Sequence, residues 1–304
     1  TGLCEPLVEL CEARGAQTGR QLEDLFSAVG YLVSPLKLAR PECEQMLWFA
    51  ERDLPMYIGH LPSQGGTAPV TLGGIAVLTL AEQLFLFLLH KAFRPDTPWH
   101  LSSSIVTVDM RQGAPCYGRP EQQRLSFVFA ELGRFYGCAV NCGSGLTDAK
   151  ALSFEAGAQK ATSAVTAALT CGLGTIQAGL LGLDEICSPV QLLLDNELAR
   201  TLEAQFAELG LDDLDEVVAE IAEAGPGGGH LMTEYTVMNF REALWEPHLW
   251  SRQLTSAWLS TGSRTDAEQA RDKALAFEHA FEPEPLISEA EERELVAIIK
   301  KAGR

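Results

Sequence analysis

Four short stretches gather the residue types that polar chemistry needs. Asp109-Met110-Arg111-Gln112-Gly113-Ala114-Pro115 carries a carboxylate and a guanidinium two positions apart. They either pair with each other or a neighbouring loop, or one of them orients a substrate. Gly143-Ser144-Gly145-Leu146-Thr147-Asp148-Ala149-Lys150 sets small residues ahead of a second carboxylate and an ammonium. The small residues leave room for a ligand, while Asp148 and Lys150 read equally well as a structural ion pair. His230 follows Gly227-Gly228-Gly229, a flexible approach that can carry an imidazole into a cavity, although most lone histidines are structural. Gly65-Gly66-Thr67-Ala68-Pro69-Val70-Thr71 is either a tight βα turn or a set of amides offered to a ligand at a helix N-terminus. It lacks the lysine of a P-loop and the spacing of a dinucleotide fingerprint. Neither a Ser-His-Asp arrangement nor an HExxH motif occurs.

Strand-like and helix-like runs alternate around these stretches. Leu25–Val33, Met56–Leu61, Trp99–Val106, Cys138–Cys142 and Gly174–Leu180 read as strands. Glu5–Arg14, Pro41–Arg52, Leu72–His90, Pro120–Phe135, Phe154–Leu169, Pro189–Leu209 and Asp212–Ala224 read as helices, three of them opening on proline. Arg111–Gly118 reads as a loop. A strand–loop–helix unit of about 35–45 residues implies a parallel sheet with helical crossovers. Apolar strands without alternation fit a sheet covered on both faces. An open doubly wound sheet and a (β/α)8 barrel both satisfy this pattern, and the polar loops follow strand C-termini, where a barrel builds its site. The strand candidates fall short of eight and the chain opens at Thr1 inside a helical run, so the expectation is a barrel without its first strands, over residues 1–252. Residues 253–304 form a helical extension packed on it: a polar hinge Thr261–Asp266, a helix Ala267–His279, the linker Glu282-Pro283-Glu284-Pro285, and a last helix capped by Ser288 with Glu291 completing a capping box.

The 304 residues carry 41 acids and 23 bases, a net charge of −18, which disfavours nucleic acid and anionic lipid as main partners. Residues 201–304 hold 21 acids against 9 bases, a balance of −12, read as a solvated face or as a docking surface for a basic partner. Eight scattered cysteines point to reduced thiols and a cytoplasmic protein. No metal site is expected, because Cys138 and Cys142 lack the partners of a tetrahedral set. The apolar run Gly74–Leu89 is interrupted by Glu82 and Gln83, so it reads as a buried core helix and not a membrane span.

Taken in order, Ala68-Pro69-Val70-Thr71-Leu72-Gly73-Gly74, Asp109 to Pro115, Gly145-Leu146-Thr147-Asp148-Ala149-Lys150, Gly225-Pro226-Gly227-Gly228-Gly229-His230 and Asn239-Phe240-Arg241 resemble the trimethylamine methyltransferase family, including its glycine-betaine-type members that lack pyrrolysine. The resemblance runs along nearly the whole chain. It implies a TIM barrel that moves a methyl group from a methylated amine to the Co(I) of a corrinoid (cobalamin) carried by a separate protein. It places Asp148 and His230 at the chemistry, with Asp109, Arg111, Lys150, Tyr117, Tyr235 and Gly145 around the substrate. Tyr235 stands where the family pattern leads one to expect a second histidine, and Cys142 and Ser144 occupy the strand tip.

The substrate class follows from leaving-group chemistry. A quaternary ammonium already carries the charge that makes a neutral amine depart, so a strong nucleophile takes its methyl without a general acid. A tertiary amine needs prior activation, the role proposed for pyrrolysine. Only standard residues occur here and Cys142–Gly145 is small, so a betaine-like quaternary amine is expected, held by aromatic faces and a carboxylate. Trp99, Tyr117, Phe127, Tyr136, Tyr235 and Trp245 are the aromatic candidates. Besides the amine and the corrinoid protein, a second copy of the chain is a possible partner. The alternative is a non-catalytic barrel that binds a methylamine or a corrinoid-protein partner.

Overall fold

The computed structural model describes residues 2–54, 56–96, 98–172, 174–208, 210 and 214–303. Its contacts cluster into two compact units. One comprises Thr1–Gly143, Thr170–Gly174 and Ala280–Arg304, the other Ser144–Leu169 and Thr175–His279.

The first unit runs α1 (Cys4–Thr18), α2 (Leu22–Leu25), β1 (Ala28–Leu32), α3 (Arg40–Ala50), β2 (Met56–His60), β3 (Ser63–Gln64), α4 (Leu72–Phe93), β4 (His100–Ser102), β5 (Val106–Asp109), β6 (Ala114–Cys116), α5 (Pro120–Tyr136) and β7 (Ala139–Asn141). Prolines in the first turns of α3 and α5 supply a φ already helical where no amide donor is needed. β1 pairs with β2 in parallel, from Ala28 opposite Met56 to Leu32 opposite His60. β3 follows β2 after two residues and pairs in parallel with β5, Ser63 opposite Val106. β4 pairs in parallel with β7. Within each parallel pair the strands are joined by a single helical crossover, α3, α4 or α5, a winding that a barrel shares with one half of a doubly wound sheet.

The sheets stay small, and no closed ring of strands forms among the described residues. The single strand expected over Trp99–Val106 is broken: β4 ends at Ser102 and β5 begins at Val106. The Gln83 side-chain amide takes the place of a neighbouring peptide on β4, donating to Ser102 O at 2.6 Å and accepting from Ser102 N at 2.7 Å. Arg111–Gly118 is not all loop, because β6 folds back antiparallel on β5. The mixed α/β class stands.

α4 is long and apolar enough to cross a membrane by length and composition, yet it is neither uniform nor wholly buried. Ile75, Ala76, Thr79, Glu82, Gln83 and Leu86 are buried, whereas Val77, Phe85 and Leu88 are exposed. The expectation of a buried core helix therefore holds for one face only. One apolar core joins Val8, Leu32, Met46, Phe49, Ile58 and Leu86. A second joins Ile75, Leu101, Ile105, Leu125 and Phe129. Cys142 and Cys171 form a disulfide, which corrects the expectation of reduced thiols at this pair. The two lie 29 residues apart, a separation that carries no local signal.

The second unit holds α6 (Phe154–Cys171) up to Leu169, then β8 (Leu180–Leu181), β9 (Ile186–Cys187), α7 (Pro189–Gln205), α8 (Leu214–Ala224), α9 (Glu234–Ala243), α10 (Thr255–Ser260) and α11 (Asp266–Ala280). The strand expected over Gly174–Leu180 shrinks to β8, which pairs antiparallel with β9. Its run through Thr175–Gln177 is instead held by loop contacts described below. The expected helix limits at Leu209 and Asp212 lie outside the described residues.

α12 (Glu289–Ala302) belongs to the first unit, where it packs on α1. Ser288 accepts from Glu291 N while Glu291 accepts from Ser288 N, the capping box read from sequence. Across the helices, Lys301 meets Glu9 and Arg14 meets Glu291. Ser288→Ala is expected to cost about 1 kcal/mol of helix stability, read as roughly fivefold faster amide exchange confined to α12.

Candidate functional site

The loop from Ser144 to Lys150 is held along its length by hydrogen bonds. Its backbone lies along α6 and is gripped by three side chains of that helix. Gly145 N donates to Ser163 Oγ at 3.0 Å, and Gly145 O accepts from Lys160 Nζ at 2.5 Å. Gln159 Oε1 accepts from Thr147 Oγ1 at 2.5 Å and from Asp148 N at 2.9 Å. Residues 159, 160 and 163 fall on neighbouring rows of one helix, so they address the loop together. On its other side the loop is tied to the chain that follows α6. Gln177 N donates to Ser144 O at 3.0 Å, Gly182 N to Ala149 O at 2.7 Å, and Leu183 N to Thr147 O at 2.8 Å.

Gly145 is there because nothing larger fits. Its φ is +82°, and a Cβ would stand 2.6 Å from Ile176 Cγ2 and 2.9 Å from Gln177 N. Thr147 and Ala149 are buried, Asp148 is half-buried and Lys150 exposed. Lys150 Nζ donates to the backbone carbonyl of Asp148.

Behind the loop lies a charge pair that sequence reading missed. Lys160 and Asp195 are both buried, with Nζ 2.9 Å from Oδ2. Lys160 also reaches Gln177 O at 3.3 Å, so all three ammonium protons are committed. Asp195 further accepts from Gly179 N at 2.8 Å and Gln191 Nε2 at 2.7 Å. Burying two ions costs several kcal/mol each unless charge and hydrogen bonds are matched this fully. A signal was present: Lys160 is the one basic residue between Lys150 and Arg200, and Asp195 follows Leu192-Leu193-Leu194. Above the pair opens a cavity of about 670 Å³ lined by Leu152, Phe154, Leu194, Leu198 and Trp250 among others. Its polar floor is already neutralised from within, so it offers mainly apolar and aromatic wall.

Asp109 ends β5 in the first unit. Its Oδ1 accepts from the backbone N of Arg111 at 2.9 Å, and its carbonyl from Gly113 N at 2.7 Å. The carboxylate therefore sets the β5–β6 turn through the main chain, and the Arg111 side chain is exposed. Tyr117 is half-buried just after β6. The Gly65–Gly66 amides are spent on their own loop, with Gly65 N donating to Ala68 O and Gly66 N to Ser63 O. The tight-turn reading holds there, and the ligand-facing one does not.

His230 is in the second unit and exposed, its Nδ1 2.9 Å from Glu220 Oε1. The Glu220 carboxyl lies below its ordinary range, held down first by a hydrogen bond from Thr233 and then by His230. The glycines before His230 form a fixed turn: Gly228 N donates to Gly225 O, and a Cβ on Gly228 would stand 1.9 Å from Ala224 O. Tyr235 is half-buried in the first turn of α9, which Thr233 caps by accepting from Thr236 N. No cluster of three His, Cys, Asp or Glu side chains suited to one metal ion occurs among the described residues.

Residues 5–303 match the family model described as trimethylamine methyltransferase (MTTB). Among curated relatives, a trimethylamine methyltransferase MttB1 of Methanosarcina acetivorans is 27% identical over 263 residues, covering 86% of this chain and 52% of its own. A glycine betaine methyltransferase of Desulfitobacterium hafniense is 29% identical over 258 residues, covering 83% and 54%. A trimethylamine methyltransferase MttB2 of Methanosarcina mazei is 27% identical over 291 residues, covering 95% and 58%. The chain thus spans about half the length of the curated relatives it matches.

Proposed function

The chain belongs to the trimethylamine methyltransferase family, and from that membership we propose that it takes part in moving a methyl group from a quaternary, betaine-like amine to the cobalt(I) of a partner corrinoid protein. One observation carries the reading. The Gly65, Asp109 and Gly143–Lys150 stretches each follow the C-terminal end of a strand (β3, β5 and β7) that has a parallel neighbour. Barrels of the (β/α)8 type build their sites from such loops, and we take β1 to β7 as an arc of one. The bare face of that arc, with Val29, Tyr31, Val33 and Tyr57 exposed, is what a parallel sheet normally covers.

Within this reading the chain binds and orients the amine. Bound in its partner, the corrinoid supplies a nucleophile that needs no proton from this chain. The Asp148 carboxylate, on the loop that Gly145 lets pack closely, balances the charge of the methylammonium. Tyr117 and Tyr235 offer aromatic faces. In the first unit Arg111, and in the second Lys150, each has the charge that suits the carboxylate of a betaine, while Asp109 shapes the turn that carries Arg111. His230, anchored by Glu220, is a further polar group that the second unit offers. The rate rests on holding nitrogen, methyl and acceptor in line, a positioning effect worth several powers of ten.

The protein is to be mixed with reduced corrinoid protein and a panel of betaines, with trimethylamine as the tertiary control. Demethylation of at least one betaine and none of trimethylamine is expected. If no member of the panel is demethylated or bound, the reading is wrong. Binding without turnover would favour the non-catalytic alternative.

A further inference from the structure

We propose that Lys160 is the positioning residue of the Ser144–Lys150 loop, setting the geometry of the proposed methylammonium site without touching the substrate. The inference rests on the functional reading above and assigns it a residue that no motif contains.

The contacts distinguish a positioning role from filler. A lysine in a core needs only one partner to be neutralised, and Asp195 alone supplies that at 2.9 Å. Lys160 does more, because its shortest bond, 2.5 Å, goes to the carbonyl of Gly145. That glycine begins the motif, and its amide is held from the same helix by Ser163. A third bond, to Gln177 O at 3.3 Å, reaches the segment against which Gly145 is pressed. One ammonium therefore sets the distance between the loop and the backbone that closes over it. Asp195 serves as the counter-charge and also accepts from Gly179 N, so both ends of residues 177–179 are bound to the pair. A neutral side chain at 160 would save the desolvation cost of two ions, but none could donate three hydrogen bonds in these directions. Asp148, three residues beyond Gly145, then inherits its position from the clamp.

Lys160→Met alone strands the Asp195 charge and is expected to unfold the unit. The informative protein is Lys160→Met/Asp195→Asn, which keeps the interior neutral and leaves Gly179 N an acceptor. Three readouts are taken: the thermal midpoint, amide exchange of residues 145–150, and methyl transfer from a betaine. The midpoint of the double variant is expected to recover to near that of the original protein. Exchange in the loop rises about tenfold or more, and kcat/KM falls about tenfold or more. A purely structural pair predicts the opposite: once the midpoint recovers, loop exchange and transfer recover with it, and that result overturns the proposal. Unchanged loop exchange also overturns it, whatever the activity. Should the original protein transfer no methyl while loop exchange still rises in the double variant, the clamp is upheld and the functional reading is what fails.

Discussion

Glu82→Ala is expected to lower the stability of the first unit by about 3–5 kcal/mol, the range for leaving a buried polar set without its central charge. The Glu82 carboxylate is fully buried. It accepts from Ser34 Oγ at 2.9 Å, Leu36 N at 2.8 Å and His60 Nδ1 at 2.9 Å. These donors come from the turn after β1 and the end of β2, so one side chain of α4 fastens two strands. Leu36 has a φ of +55°, a conformation costing a non-glycine residue about 1–2 kcal/mol, and its amide bond to Glu82 helps to hold it there. Urea midpoints with Glu82→Gln as the isosteric control test this. Glutamine keeps the shape and part of the hydrogen bonding, so it should lose about half as much.

The pH dependence has a defined sign. Burial alone pushes the Glu82 carboxyl up, but hydrogen bonds from His60, Leu36 and Ser34 outweigh it and hold the group below its ordinary 4.5. A carboxylate depressed in the folded state stabilises fully above 4.5, and that contribution disappears as pH falls through the lower folded value. The original protein should therefore lose stability more steeply below about pH 4.5 than Glu82→Gln, which has no proton to take up there. Parallel acid limbs would contradict the arrangement.

Gly145→Ala should be similarly damaging, at about 3 kcal/mol. A side chain at φ +82° is strained by about 1–2 kcal/mol, and overpacking adds about 1–3. The atoms a Cβ would meet include the backbone of Gln177 at 2.9–3.0 Å, which cannot rotate away as a side chain would. Methyl transfer should fall about a hundredfold even where folding survives, because displacement by about 1 Å near a site has that effect. Gly157 provides the contrast. It sits inside α6, a Cβ there would meet nothing within 4 Å, and Gly157→Ala should stabilise by about 0.5–1 kcal/mol. If both alanines behave alike, the loop is not packed as described.

Local chemistry made much of this protein legible before any coordinates. Pro41, Pro120 and Pro189 mark the first turns of α3, α5 and α7, and Ser288 with Glu291 marks α12, since capping acts over three or four residues. The ordered loop motifs identified the family for the same reason, being contiguous text. Only tertiary structure decided which polar residues matter inside. Glu82 looked like a penalty against a bilayer, yet it meets Ser34 and Leu36 from 48 and 46 residues away. Lys160 finds Asp195 35 residues on, and Gln83 bonds both backbone groups of Ser102, 19 residues away. A buried charge or amide declares its type in the sequence but not its partner, because the partner is chosen by how helices settle on strands. The apolar pattern directs that packing, and hydrogen-bond geometry completes it only once the surfaces have met.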